Sequence, residues 1–146
     1  MLRALRGSIN LFVLFAECVI AQQSVADTKP SAPDSAQATR FGYRTVQAAL
    51  SELRTKSGVQ ISDEQGWTIV DDKLEYTLWS FTPSTHPAYP AGIKQVITQD
   101  VKGDIRVIMT ALCQASRGAC DKLVEEFRGR TERMAEQVRA RLRGGQ

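Results

Sequence analysis

The feature that most constrains this chain is a change of hydrophobic period near its C-terminus. Ile105, Val107, Met109, Ala111 and Cys113 recur at every second residue, and from Ala119 onward the apolar residues recur at helical spacing. A strand with one apolar face that leads into a long amphipathic helix buries both only if the helix folds back over the sheet. Cys113 ends that strand on its apolar side, and Cys120 opens the helix on its apolar side. A disulfide between them would fix the fold-back angle. It closes a loop of eight residues counted inclusively, for which chain-entropy reasoning gives about 2.5 kcal/mol of stabilisation. The spacing is C-x6-C rather than C-x-x-C, which favours a structural bridge over a redox pair.

The upstream pattern supplies the rest of the layer. Val46, Ala49, Leu50 and Leu53 share one face of a helix expected over residues 45–57, with Thr45 as N-cap and Gly58 in a left-handed position after its end. Val59 and Ile61 then alternate, as do Trp67 and Ile69. Residues 74–82 (LEYTLWSFT) are dense in β-favouring types on both faces, as in a central strand. Residues 83–92 hold three of the five prolines and form a loop. Residues 93–101 and 104–113 read as a hairpin turning at Lys102, Gly103 and Asp104. The last helix is expected over 119–143, with an apolar stripe of Cys120, Leu123, Val124, Phe127, Met134, Val138 and Leu142. The expected fold is α+β: an N-terminal helix, an antiparallel sheet of three to five strands, and a long C-terminal helix packed on the sheet, both helices on one face.

The N-terminus reads as an address. Arg3 and Arg6 precede an apolar run over residues 9–20, and small residues lead to Ala21 and Ala26. That is the form of a secretory signal peptide, residues 1–26, cleaved after Ala21 or Ala26. The run is too short, and too interrupted by Glu17, for a spanning helix, so no transmembrane segment is expected after processing. Cys18 is lost with the peptide. The net charge falls only from +3 to +2, which calls for no polyanionic partner. Residues 27–40, poor in large apolar side chains, are expected to be a flexible leader, leaving 41–146 as a single α+β domain.

The chain has one histidine, His86, so it cannot build a site of several imidazoles. The carboxylate pairs Asp63-Glu64, Asp71-Asp72 and Glu125-Glu126 are sequence neighbours, which in a strand point to opposite faces, and Asp71-Asp72 is placed in a turn. The ligand spacing of a calcium loop and a glycine-rich phosphate loop are both missing. No catalytic residue, metal site or cofactor is assigned. The stiff loop over residues 82–90 is the candidate recognition surface, with Trp79, Ser84, Thr85, His86 and Tyr89 as binding residues.

Arginines in the second half of the last helix are interleaved with Glu125, Glu126, Glu132 and Glu136, which favours a solvated face over a nucleic-acid patch. Positions 120, 124, 127, 131, 134 and 138 also follow coiled-coil spacing, so a homodimer through the C-terminal helix is a hypothesis.

The segment WTIVDDKLEYTLWSFTPSTHPAYP, followed by a basic residue and a hairpin ending in cysteine, resembles small exported proteobacterial proteins of unassigned function over residues 43–135. The resemblance implies export and carries no activity with it. The expected function is therefore a periplasmic or secreted, disulfide-stabilised, non-enzymatic binding or structural protein of the cell envelope, with another envelope protein as partner. Two alternatives stand beside it. One is a small hydrolase or transferase using His86 as general base. The other is a membrane-surface protein held by the arginine-rich helix.

Overall fold

The computed structural model describes residues 35–144; the signal-peptide reading lies outside them. Helix α1 (Ser35–Phe41) and helix α2 (Val46–Thr55) precede strands β1 (Val59–Glu64), β2 (Trp67–Asp72), β3 (Thr77–Phe81), β4 (Ala91–Gln99) and β5 (Ile105–Cys113), and helix α3 (Arg117–Gly144) ends the chain. The strands form one antiparallel meander in the order β1-β2-β3-β4-β5. The domain is thus α+β, with the long C-terminal helix packed on the sheet.

The two faces of the sheet are both covered, which differs from the expectation that both helices share one. Strand register places Val70, Trp79, Lys94 and Thr110 in one transverse row, and Phe81, Gly92 and Leu112 in the next. Phe81 and Leu112 pack with Phe41, Val46, Ala49 and Leu53 beneath α1 and α2. The opposite pleat carries Ile93, Met109, Ala111 and Cys113, which pack against Leu123 and Phe127 of α3. The reason is visible in β3 and β4, whose alternate residues are apolar on both sides. Each face needs its own cover.

The stripe read from Ile105 to Met109 is only half-buried, whereas Leu112 on the other pleat is fully buried. On α3, Thr131 and Ala135 are buried alongside Leu123 and Phe127, while Leu142 is exposed.

Helix α1 is the element that the sequence reading did not foresee, although Phe41 falls at the first residue of the expected domain. Residues 35–40, assigned to a flexible leader, are helical, and they deliver Phe41 with 0% exposure into the core. Its ring meets Trp79 edge-on at 5.0 Å. The sheet is thinned to receive it: a Cβ on Gly92 would come within 2.9 Å of Phe41 Cζ and of the Phe81 ring. Gly92 is therefore the floor of the Phe41 pocket, and overpacking is what excludes a side chain there.

Helix α2 is fastened at both ends. The Thr45 side chain accepts from Ala48 N–H at 3.1 Å, as its N-cap reading requires. The Val46 N–H, another donor without an intrahelical partner, reaches the Gln114 side-chain oxygen at 3.2 Å, just past the end of β5. The helix stops at Thr55 with Lys56 as C-cap, and Gly58, at φ +83°, turns the chain into β1.

Where strand 74–82 was expected, residues 74–76 form a turn, with Tyr76 at φ +49°. The hairpin turn falls where the sequence put it. Asp100 organises it by accepting from Lys102 N–H at 2.9 Å and Asp104 N–H at 3.0 Å.

The disulfide between Cys113 and Cys120 joins the end of β5 to the first turns of α3, with a Cα separation of 5.8 Å.

Candidate functional site

The proline loop is braced at its base. Thr82 Oγ1 accepts from Ala91 N–H at 3.0 Å and donates to Ala91 O at 3.2 Å, while Gln114 N–H donates to Pro90 O at 3.0 Å. Inside the loop, His86 N–H reaches Pro83 O at 3.0 Å and Tyr89 N–H reaches His86 O at 2.9 Å. Ala88 is fully buried at the centre. These bonds satisfy the backbone of a segment that contributes to no ladder.

The five residues assigned to a recognition surface do not converge. Trp79 lies in the core under Phe41 and Tyr43, with the Lys94 ammonium 4.8 Å from its ring centroid. His86 turns the other way, edge-on to Trp67 at 5.2 Å, and Trp67 in turn meets Phe127 at 5.5 Å. Ser84 and Thr85 are exposed at the loop tip. Tyr89, 50% exposed, faces α2 across an open groove of about 960 Å³. Leu50 and Arg54 of α2 form one wall, Tyr89 and Pro90 the other, and Gln114 closes the end.

The geometry assigns a role to the His86 ring. Its Nδ1 accepts from Ala88 N–H at 3.1 Å. In the neutral imidazole the proton then sits on Nε2, the nitrogen a general base would need free. Its bond and its ring contact both serve the loop.

Sequence reading missed a charged cluster on the α1/α2 face. Asp72, placed in a turn from its neighbourhood, is the last residue of β2 and only 2% exposed. Lys56 Nζ lies 2.6 Å from Asp72 Oδ2 and 3.7 Å from Glu75 Oε1, and Glu75 N–H donates to Asp72 Oδ1 at 3.1 Å. The bond from Lys56 holds the Asp72 carboxyl below the usual range despite burial, and the same bond holds Lys56 above the usual lysine range. Nearby, burial first and Glu52 second push the Tyr43 phenol up, while burial holds Lys94 down. Lys94 Nζ donates to Phe41 O at 3.4 Å.

Acid–base chemistry at neutral pH needs a group poised near neutrality, and the Lys56 and Asp72 pair drives its members in opposite directions away from it. Its job is to pin the C-cap of α2 to β2.

The pair sets a pH dependence with two limbs. Asp72 has a depressed folded pKa, so its contribution is full above the unfolded value near 4 and is lost as pH falls through the folded value. Lys56 has a raised folded pKa, so its contribution is full below about 10 and is lost as pH rises through the folded value. Asp72→Asn is expected to cost about 1–3 kcal/mol at pH 7, the lower range for a buried pair because Lys56 reaches solvent. Urea unfolding at pH 7 and pH 2.5 checks it: the gap between wild type and variant should shrink at the lower pH. An equal gap at both would contradict the ion-pair origin.

Among the described residues, no group of three His, Cys, Asp or Glu side chains could hold a metal ion, and no helix is long and apolar enough to cross a membrane. On α3, Arg128 pairs with Glu125 at 2.9 Å and Arg130 with Glu126 at 2.6 Å, the solvated arrangement expected of interleaved charges. No protein-family model, curated protein or solved structure matches the chain.

Proposed function

We propose that this disulfide-stabilised domain is an exported, non-enzymatic binding protein of the cell envelope, and that the groove between α2 and the proline loop receives its partner, another envelope protein. The carrying observation is the Tyr89 side chain, half-exposed on a loop whose backbone is bonded at both ends and so presented over an open groove. A preorganised aromatic at a concave surface contributes area at low entropic cost, which is what a binding anchor needs. The tautomer of His86 supports a binder over a general-base enzyme.

Export is tested by isolating the protein from the cell envelope and sequencing its N-terminus, which should begin at Gln22 or Asp27. Partner binding is tested by placing a photocrosslinking amino acid at position 89, with a control at exposed Ile61 on the far edge of the sheet. One discrete envelope protein should crosslink from 89 and not from 61. Tyr89→Ala should weaken capture at least about ten-fold, the loss of one interface anchor, while His86→Ala, which removes one bond and one ring contact inside the loop but no anchor, should cost less than Tyr89→Ala. Equal crosslinking from both positions, or a turnover abolished by His86→Ala, would overturn the reading.

A further inference from the structure

We propose that the open edge of β5 and the flank of α3 beside it form a self-complementary surface for a second copy of this chain, joined about a two-fold axis at Met109.

The strand supplies the first half. β5 is the last strand of the meander. Gln114 N–H bonds Pro90 O, which sets the phase of the ladder: residues 106, 108, 110 and 112 turn their backbone groups toward β4, and 105, 107, 109, 111 and 113 turn theirs outward. Among the described residues nothing bonds the outward set. Natural edges are usually guarded by charge, proline or a bulge. β1, the other edge, carries Asp63 and Glu64, whereas β5 has Arg106 as its single charge and shows Ile108 at 54% exposure.

The helix supplies the second half. Phe127 leans toward β2, where it meets Trp67, and Met134 lines a cavity with Leu78 of β3, while Arg139 and Leu142 line another with Ile105 of β5. At about 100° per residue, Asp121, Arg128, Glu132 and Arg139 fall within about 40° of one another on that β5 flank. All four are exposed, and Glu132 and Arg139 have no ion pair among the described residues.

An antiparallel second helix, with the axis at the level of Arg130, sets Arg128 against Glu132 of the second copy and Asp121 against its Arg139. Each contact occurs twice. Thr131 Oγ1 lies 3.3 Å from Met109 Sδ, so the same axis crosses β5 at Met109, the middle of the outward set. There Arg106 faces Leu112 of the second copy and no like charges meet.

The spacing also fits. Thr131 touches Gln95 of β4 and Met109 of β5, which places α3 over the gap between those strands. Strands about 4.8 Å apart then set the two α3 axes about 9–10 Å apart, the ordinary distance for packed helices. The coiled-coil spacing noted in the sequence plays no part, because Phe127 and Thr131 are buried against the sheet.

Sedimentation velocity of the oxidised domain over a concentration series tests this. Wild type should form a dimer that weakens with added salt. Glu132→Arg, which sets arginine against Arg128 twice, should raise the dissociation constant at least about ten-fold, and so should Arg128→Glu. The double variant Arg128→Glu/Glu132→Arg restores both contacts with the charges exchanged, and should return to within about three-fold of wild type. Matching circular dichroism, and matching melting temperatures at a concentration low enough that every protein is monomeric, exclude misfolding as the cause. A concentration-independent monomer, a dimer indifferent to the single reversals, or a double variant that does not recover would each overturn the proposal.

Discussion

Phe41→Ala is expected to remove about 3–5 kcal/mol of unfolding free energy, a loss typical of emptying a fully buried phenylalanine site. The cavity cannot collapse easily. Its floor is the Gly92 backbone, its walls are Phe81 and Trp79, and all three are held by strand register. Urea unfolding followed by tryptophan fluorescence reads the effect directly, since Trp79 lies 5.0 Å from the lost ring. Phe41→Leu should recover roughly half of the loss, because it restores most of the volume but not the edge-on contact. A cost below about 1 kcal/mol for the alanine variant would mean that α1 is not docked in solution, and that the core begins at Val46 instead.

That prediction concerns the anchor of α1, the helix that sequence reading did not foresee, and the reason is physical. Periodicity reveals an element when the element is long enough to repeat. α2, β4, β5 and α3 all satisfy that condition, and their succession along the chain, the β4/β5 hairpin and the disulfide were legible, whereas the order of the strands in the sheet was not. α1 is a helix of 7 residues with Phe41 as its one buried side chain. A single anchor has no period, and the polar residues before it carry the composition of a leader.

The face assignment failed for a related reason. Alternation in β3 and β4 shows that both pleats are apolar, but it does not say which helix covers which. That depends on where α1 and α2 leave the sheet. The site was less legible still. Tyr89 could be picked out because its neighbours are prolines, whereas Gln114, Lys56 and Asp72 act through partners 68, 16 and 3 residues away in the chain. Nothing local marks them. Asp72 in particular looked like a turn acid beside Asp71, and only the register that makes it the last residue of β2 explains its burial.

Removing the disulfide has the second large effect, and it tests the idea that the bridge is architectural. Cys113→Ala/Cys120→Ala is expected to destabilise the domain by about 2–3 kcal/mol, the chain-entropy value for so short a loop. For a domain of this size that lowers the melting temperature by roughly 10–20 °C. Alanine is the appropriate replacement because Cys113 is buried beside Ala88, where a serine hydroxyl would add its own desolvation cost.

Two controls isolate the bridge. Reductant should lower the melting temperature of wild type by a similar amount, and it should leave the double alanine variant unchanged. Circular dichroism of that variant at low temperature should keep the helical signal, since Leu123 and Phe127 still hold α3 against Ile93 and Ala111. A wild-type melting temperature indifferent to reductant, with both thiols then free to alkylating reagent, would show that packing alone sets the angle of α3. In that case the fold would place no demand on an oxidising compartment, and one support for export would fall with it.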